Sequence, residues 1–296
     1  MKKLFALMLA ALMLLSLAAC AAPAAAPAAP AAEAAAPAEA AAPAEATEAP
    51  AETADGPVMA KIKSSGKLVV GTEAQYAPYE FKDINADFAG CDMWLAQKIA
   101  DSMGVKLEVV DMGFDGIIPA VQSGQVDMGI AAFTYTEERA QVIDFSNQYE
   151  QSPQLMLVKK GNEDAYSTVE SVKGLKVGAQ KGTIQSQLIQ KVFPESELFE
   201  LDKYPELALE VVQGNIAALV VDSAVGEALI ASNPDLVASN YAFDPNDANF
   251  GKAIVMAQGN TDLVAAANLV VDAVVADGSY LQAFEEAKTL AASLGL

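Results

Sequence analysis

From residue 66 onward the chain alternates short apolar runs with amphipathic stretches, and this alternation leaves few folds open. LVVGT at 68–72 reads as a strand. DMWLAQKIADSMG at 92–104 places Met93, Leu95, Ile99 and Met103 near a helical period and stops at Gly104. KLEVVDM at 106–112 is the next strand, DGIIPAVQSG at 115–124 a helix closed by Gly124, and VDMGIAAF at 126–133 a buried strand. PQLMLVK at 153–159 adds another strand. The pattern then starts afresh, with strands at 176–180, 217–223 and 251–257. Helices are expected from Thr183, at 205–213 and 224–231, and at about 261–276 and 279–293. Two strand–helix series joined by extended segments near 147–153 and 247–253 predict two α/β lobes with a cleft between them, a preferred place for a small ligand.

A different composition precedes the folded part. Lys2 and Lys3 lead into an apolar run from Leu4 to Leu15 and then Leu-Ala-Ala-Cys20, the layout of a secretory signal. The run is shorter than the roughly 20 residues that a membrane span needs. Cys20 stands where a bacterial lipobox has its lipidated cysteine, so residues 1–20 are expected to be a lipoprotein signal peptide. Residues 21–56 contain only Ala, Pro, Glu, Thr, Asp and Gly, with AAPAEA repeated in tandem. Proline interrupts the helix that alanine favours and nothing here can bury a core, so the stretch reads as a tether. Its acids, Asp55 among them, have no neighbouring base and are expected to stay solvated. The expected location is extracytoplasmic, anchored to the cell membrane by lipid on Cys20.

Charge and residue usage remove several function classes. Setting aside the six acids of the tether from the 39 in the chain, and Lys2 and Lys3 from its 18 basic residues, leaves 57–296 near −17. That balance opposes nucleic acid and anionic lipid heads as partners. There is no histidine, so Ser-His-Asp and Cys-His catalysis and the usual zinc sites are absent. No P-loop and no GxGxxG fingerprint occurs, and neither cofactor nor metal is expected. Cys91 reads as a small apolar filler.

AAFTYTEERAQVIDFS at 131–146 carries the clearest chemistry. Arg139 follows the hydroxyl-rich run Thr134, Tyr135, Thr136 at the end of an apolar strand, and a guanidinium offers paired donors to a carboxylate. Taken alone, Arg139 reads as a surface charge beside Glu137 and Glu138.

GKLVVGTEAQYAPYEFKD, GCDMWLAQKIADSMGV, MGFDGIIPAVQSGQVDM, AAFTYTEERAQVIDFS, LKVGAQKGT and AALVVDS stand in this order from residue 66. Together they resemble the polar amino-acid-binding proteins of ABC importers, the family 3 extracellular solute-binding proteins. The likeness is strongest over 66–230. It implies a periplasmic-binding-protein-like (type II) venus flytrap with two hinge crossovers, lobe 1 formed by 57–150 and 249–296 and lobe 2 by 151–248. It also implies a monomer, an amino-acid ligand, an ABC permease as partner and no enzymatic activity.

Carried over residue by residue, the resemblance makes Arg139 the clamp on the ligand α-carboxylate, with Thr134 and Thr183 as further contacts. Asp222 takes the α-ammonium, Tyr76 and Phe114 flank the side chain, and Glu73 faces its far end. Ala132 stands where many members have Gly, and Gln180 sits at a variable position that helps choose the side chain. Glu80, Asp92 and Asp127 read as structural or solvated. A basic or polar ligand such as arginine, lysine, glutamine or cystine is implied. The alternatives are a cyclohexadienyl-dehydratase-like enzyme with Glu73 as its acid, and a ligand-sensing subunit for a receptor.

Overall fold

A computed structural model describes residues 55–247 and 250–296. The expected signal segment, Cys20 and the tether as far as residue 54 lie outside the described residues, as does the expected lobe junction at 248–249. Asp55 and Gly56 depart from the tether reading. Asp55 pairs with Lys63 at 2.7 Å, and the Gly56 amide donates to Asp262 at 2.7 Å. Folding brings both partners to a segment that has no base of its own nearby.

Helix α1 (Pro57–Ser65) opens with a proline, whose fixed φ suits a first turn, and closes on left-handed Gly66. After it come β1 (Lys67–Thr72) and a small antiparallel flap of β2 (Gln75–Tyr76), β3 (Glu80–Lys82) and β4 (Phe88–Ala89). Next are α2 (Cys91–Ser102), β5 (Lys106–Asp111), α3 (Phe114–Gln122) and β6 (Met128–Thr134). The one-turn α4 (Glu137–Ala140), β7 (Ile143–Phe145) and β8 (Glu150–Gln151) end the first series. The second comprises β9 (Gln154–Lys159), β10 (Lys176–Gln180), α5 (Ile184–Val192), β11 (Glu197–Leu201) and α6 (Tyr204–Gln213). It continues with β12 (Ala218–Asp222), α7 (Ser223–Ser232) and β13 (Leu236–Ala238). The chain finishes with β14 (Gly251–Ala257), α8 (Thr261–Ala276) and α9 (Ser279–Leu294).

Each series builds its own sheet, which gives the two-lobed α/β fold. One sheet runs β5-β1-β6-β14-β7, with β8 extending the start of β14, and the other runs β11-β10-β12-β9-β13. β1 lies parallel between β5 and β6, and β10 parallel between β11 and β12. The chain crosses between sheets twice, from β8 to β9 and from β13 back to β14. At the crossovers Gly251 and Lys252 pair with Gln151 and Glu150, so two antiparallel segments join the lobes.

β6 is buried along its whole length, as its unbroken apolar run requires, and β14 is buried up to its last residue. Gly129 lets α3 sit against the first sheet, because a Cβ there would stand 2.6 Å from Ile117 Cγ2 and 2.7 Å from Val255 Cγ2. Every longer helix and strand of the sequence reading is present, within a few residues at the ends. The flap strands, β7, β8, β11, β13 and α1 are additions, most of them too short to show a period.

Candidate functional site

Four parallel-strand ends face the cleft, where open α/β sheets expose unused backbone groups. Glu73 follows β1, Thr134 ends β6, Gln180 ends β10 and Asp222 ends β12. Arg139 comes from α4, which Thr136 starts by accepting a hydrogen bond from the Arg139 amide. All nine residues anticipated from sequence, Glu73, Tyr76, Phe114, Ala132, Thr134, Arg139, Gln180, Thr183 and Asp222, line one narrow, nearly closed pocket. Glu80, Gln185 and Lys252 line it too.

Arg139 is not the surface charge that its local sequence suggests. Its Nη1 donates to the Thr134 carbonyl at 2.7 Å and its Nη2 to the Gly182 carbonyl at 3.1 Å, the second contact reaching the other lobe. Its guanidinium carbon lies 5.6 Å from the Phe114 ring centre and 5.4 Å from that of Phe133. Those rings stack at 4.6 Å. Burial lowers the Arg139 pKa to about 10, against a small opposing effect of Glu138, so it stays cationic at neutral pH. Among the described residues no carboxylate forms an ion pair with it.

Asp222 forms the opposite pole. Its Oδ2 accepts from the Tyr76 hydroxyl and from Lys252 Nζ, each at 2.5 Å, and its Oδ1 accepts from Gln154 Nε2 at 2.5 Å. A buried acid needs a cation, and the structure supplies Lys252, which is 1% exposed. Tyr76 is therefore more than a wall, since its hydroxyl helps hold the acid while its ring packs 5.3 Å from that of Tyr204.

Two anticipated contacts are already engaged within the protein. The Ala132 amide donates to Asp92 Oδ2 at 2.7 Å, which takes that N–H from any ligand, and the residue holds a left-handed φ of 47°. Thr183 caps α5: its hydroxyl donates to the Gln180 carbonyl at 2.6 Å and accepts from the Ser186 amide at 3.4 Å.

Glu73 is buried, its Oε2 3.2 Å from Gln180 Nε2 and its Oε1 4.0 Å from Lys203 Nζ. Burial raises its pKa to about 7, with Gln180 and Lys203 opposing and Asp111 adding slightly. Gln180 also donates to the Asp202 carbonyl, so both lobes position this end of the pocket. Asp127, bonded to Lys61 and the Val69 amide, is structural as expected. So is Asp92, which also accepts from the Tyr149 hydroxyl. Glu80, expected to be structural or solvated, is buried in the pocket wall, its pKa pushed well up by burial and by nearby Asp92 and Glu73. Lys252 is marked in the sequence only as a lone charge inside the apolar run GKAIVMA.

Two lobes joined by paired crossovers, with a half-buried arginine and a buried aspartate lining one cleft, define a solute-binding architecture. The profile of the bacterial extracellular solute-binding proteins, family 3, matches residues 68–287, and the chain belongs to that family. The chain is 30% identical to the L-cystine-binding protein TcyJ of Escherichia coli over 234 residues, 79% of this chain and 86% of that protein. It is likewise 30% identical to a putative ABC transporter arginine-binding protein 2 of the same species, over 71% of this chain and 85% of that one. The amino acid ABC transporter substrate-binding protein AbpA of Streptococcus pneumoniae, solved bound to L-arginine, superposes with a TM-score of 0.76 at 31% identity. That likeness covers 78% of this chain and 98% of AbpA.

Proposed function

We propose that this protein captures a polar or basic amino acid between its lobes outside the cytoplasm and delivers it to an ABC permease. The observation that carries this reading is Arg139, a half-buried guanidinium free of any carboxylate ion pair among the described residues, which lines one pocket with Asp222. The ligand carboxylate docks on Arg139 at the end of β6. Its side chain runs between Tyr76 and Phe114 toward Glu73 and Gln180. Such a ligand favours the closed state through contacts that need both lobes at once. Protein groups already span the cleft in this way, as between Arg139 and Gly182, Gln180 and Glu73, and Lys181 and Asp115. Arginine, lysine, glutamine and cystine are the candidate ligands, because their side chains suit a pocket end made of a buried acid and an amide once the lobes open to admit them. Lipid on Cys20 holds the protein at the cell membrane, residues 21–54 tether it, and it works as a monomer.

A thermal-shift screen of the common amino acids and cystine tests this reading. A ligand at 100 times its Kd adds about 2.7 kcal/mol of stability. Absence of a shift with every one of them would sink it.

Glu73, with its pKa near 7, motivates a second reading as a general acid in a cyclohexadienyl-dehydratase-like enzyme. AncCDT-1, described as an ancestral amino-acid-binding protein and a precursor of cyclohexadienyl dehydratase, superposes with a TM-score of 0.70 at 33% identity. Aromatic product formed from prephenate or arogenate would establish that reading, and none is expected.

A further inference from the structure

Asp222 already has a cation. Lys252 Nζ and the Tyr76 hydroxyl share its Oδ2, and Gln154 takes its Oδ1, so the acid is neutralised and most of its accepting capacity is filled by the protein. Lys252 is fixed in place. It stands in β14 directly between Thr134 of β6 and Glu150 of β8, and its ammonium lies 5.9 Å from the Tyr79 ring centre. Residue and partner are 1% exposed each. An α-ammonium brought to this acid meets a second positive charge already seated there, and like charges repel strongly in a buried site.

The carboxylate pole adds to the same imbalance. Arg139 bonds the Thr134 carbonyl at 2.7 Å, and Lys252 reaches the Thr134 hydroxyl at 3.4 Å. Two cations therefore flank one residue, and of the two only Lys252 is ion-paired, to Asp222. The other acids facing Lys252 are Glu80, Glu150 and Asp92, and burial raises the pKa of each, which weakens their hold on its charge without removing it.

We propose that Lys252 is a specificity-determining residue: a fixed internal cation on Asp222 that does the work of a ligand α-ammonium, so that the pocket accepts carboxylates lacking it. The ligand class then extends to des-amino, 2-hydroxy and 2-oxo acids that carry the same side chain. This inference rests on the carboxylate clamp of the proposed function.

Calorimetric titration of the full chain tests it, with L-arginine, L-lysine, L-glutamine and L-cystine, each beside the same molecule without its α-amino groups. For the tightest-binding pair, removing the α-ammonium is expected to weaken binding less than about tenfold. In Lys252→Met, where Asp222 is left without its cation, the same removal is expected to weaken binding at least about a hundredfold. A hundredfold loss in the unaltered protein overturns the inference whatever the variant does. An unchanged ratio in a folded variant overturns it as well. Binding of des-amino acids alone supports the inference while sinking the amino-acid reading. Binding of neither member of any pair removes the clamp and the inference together.

Discussion

Arg139 illustrates how little one residue's neighbours in sequence say about its partners. Glu137 and Glu138 adjoin it, yet its guanidinium turns to the carbonyls of Thr134 and Gly182 and lies against two phenylalanine rings. Those rings cover part of the charge, and the carbonyls leave donors for an incoming carboxylate. Arg139→Ala is therefore expected to cost about 3 kcal/mol or more of binding to the ligand found by the screen, a loss of over about a hundredfold in Kd by calorimetry. Without ligand its melting temperature is expected to fall modestly, since two carbonyl hydrogen bonds are lost but no ion pair is broken. Near-native affinity would remove Arg139 from the clamp.

At the same scale, the residues that the family resemblance singles out share one pocket, while the fold sets what each of them bonds to. The nine side chains converge because five of them lie at or next to strand ends, and strand ends are legible from apolar runs that stop. Hydrogen-bond partners are not legible in that way. The Ala132 amide is consumed by Asp92, 40 residues earlier in the chain, and the Thr183 hydroxyl by the start of its own helix.

Among the elements, α2 connects packing to the site. It starts at Gly90, with φ 115°, where a Cβ would fall 2.1 Å from the Tyr79 carbonyl oxygen. The second helical residue, Asp92, fixes the Ala132 amide and thereby the cleft end of β6. Gly90→Ala is expected to destabilise the protein by about 3 kcal/mol or more, because backbone must move and the left-handed conformation is strained as well. Gly104, just beyond the other end of α2, has φ 67° and nothing within 4 Å of an added Cβ. Its alanine variant should lose only about 1 kcal/mol. Urea unfolding midpoints of the two variants check this; equal losses would show that the close approach at Gly90 carries no weight.

For the molecule as a whole, buried acids give stability an unusual pH dependence. Burial raises Glu73 and Glu150 to about 7 and Asp92 to about 6 in the folded chain. The folded state thus holds protons that the unfolded chain releases in the ordinary carboxylate range near 4. Stability from these groups is fully present below that range and is lost as pH rises through about 6 to 7. Repulsion within a chain of net charge −21 acts in the same direction. Asp111, Asp244 and Asp277 are shifted downward and act with the opposite sign, but below the ordinary range. A higher melting temperature at pH 5.5 than at pH 8 is expected, with a flatter profile in Glu150→Gln. A maximum at pH 8 would contradict the raised values.

Sequence by itself determined the strand–helix order, its division into two series and the strand ends that carry Thr134, Gln180 and Asp222. Those properties follow from local periodicity and from glycine and proline punctuation, which act over a few residues. Only the tertiary structure decided what each buried charge meets. Lys252 and Asp222 are 30 residues apart, and Lys252 and Thr134 are 118 apart. Their meeting depends on β14 returning to pair with β6 and β8 beside the end of β12. A buried charge must find a partner, but sheet order decides which, and it placed a lysine of the protein at the pole where the sequence suggested a ligand.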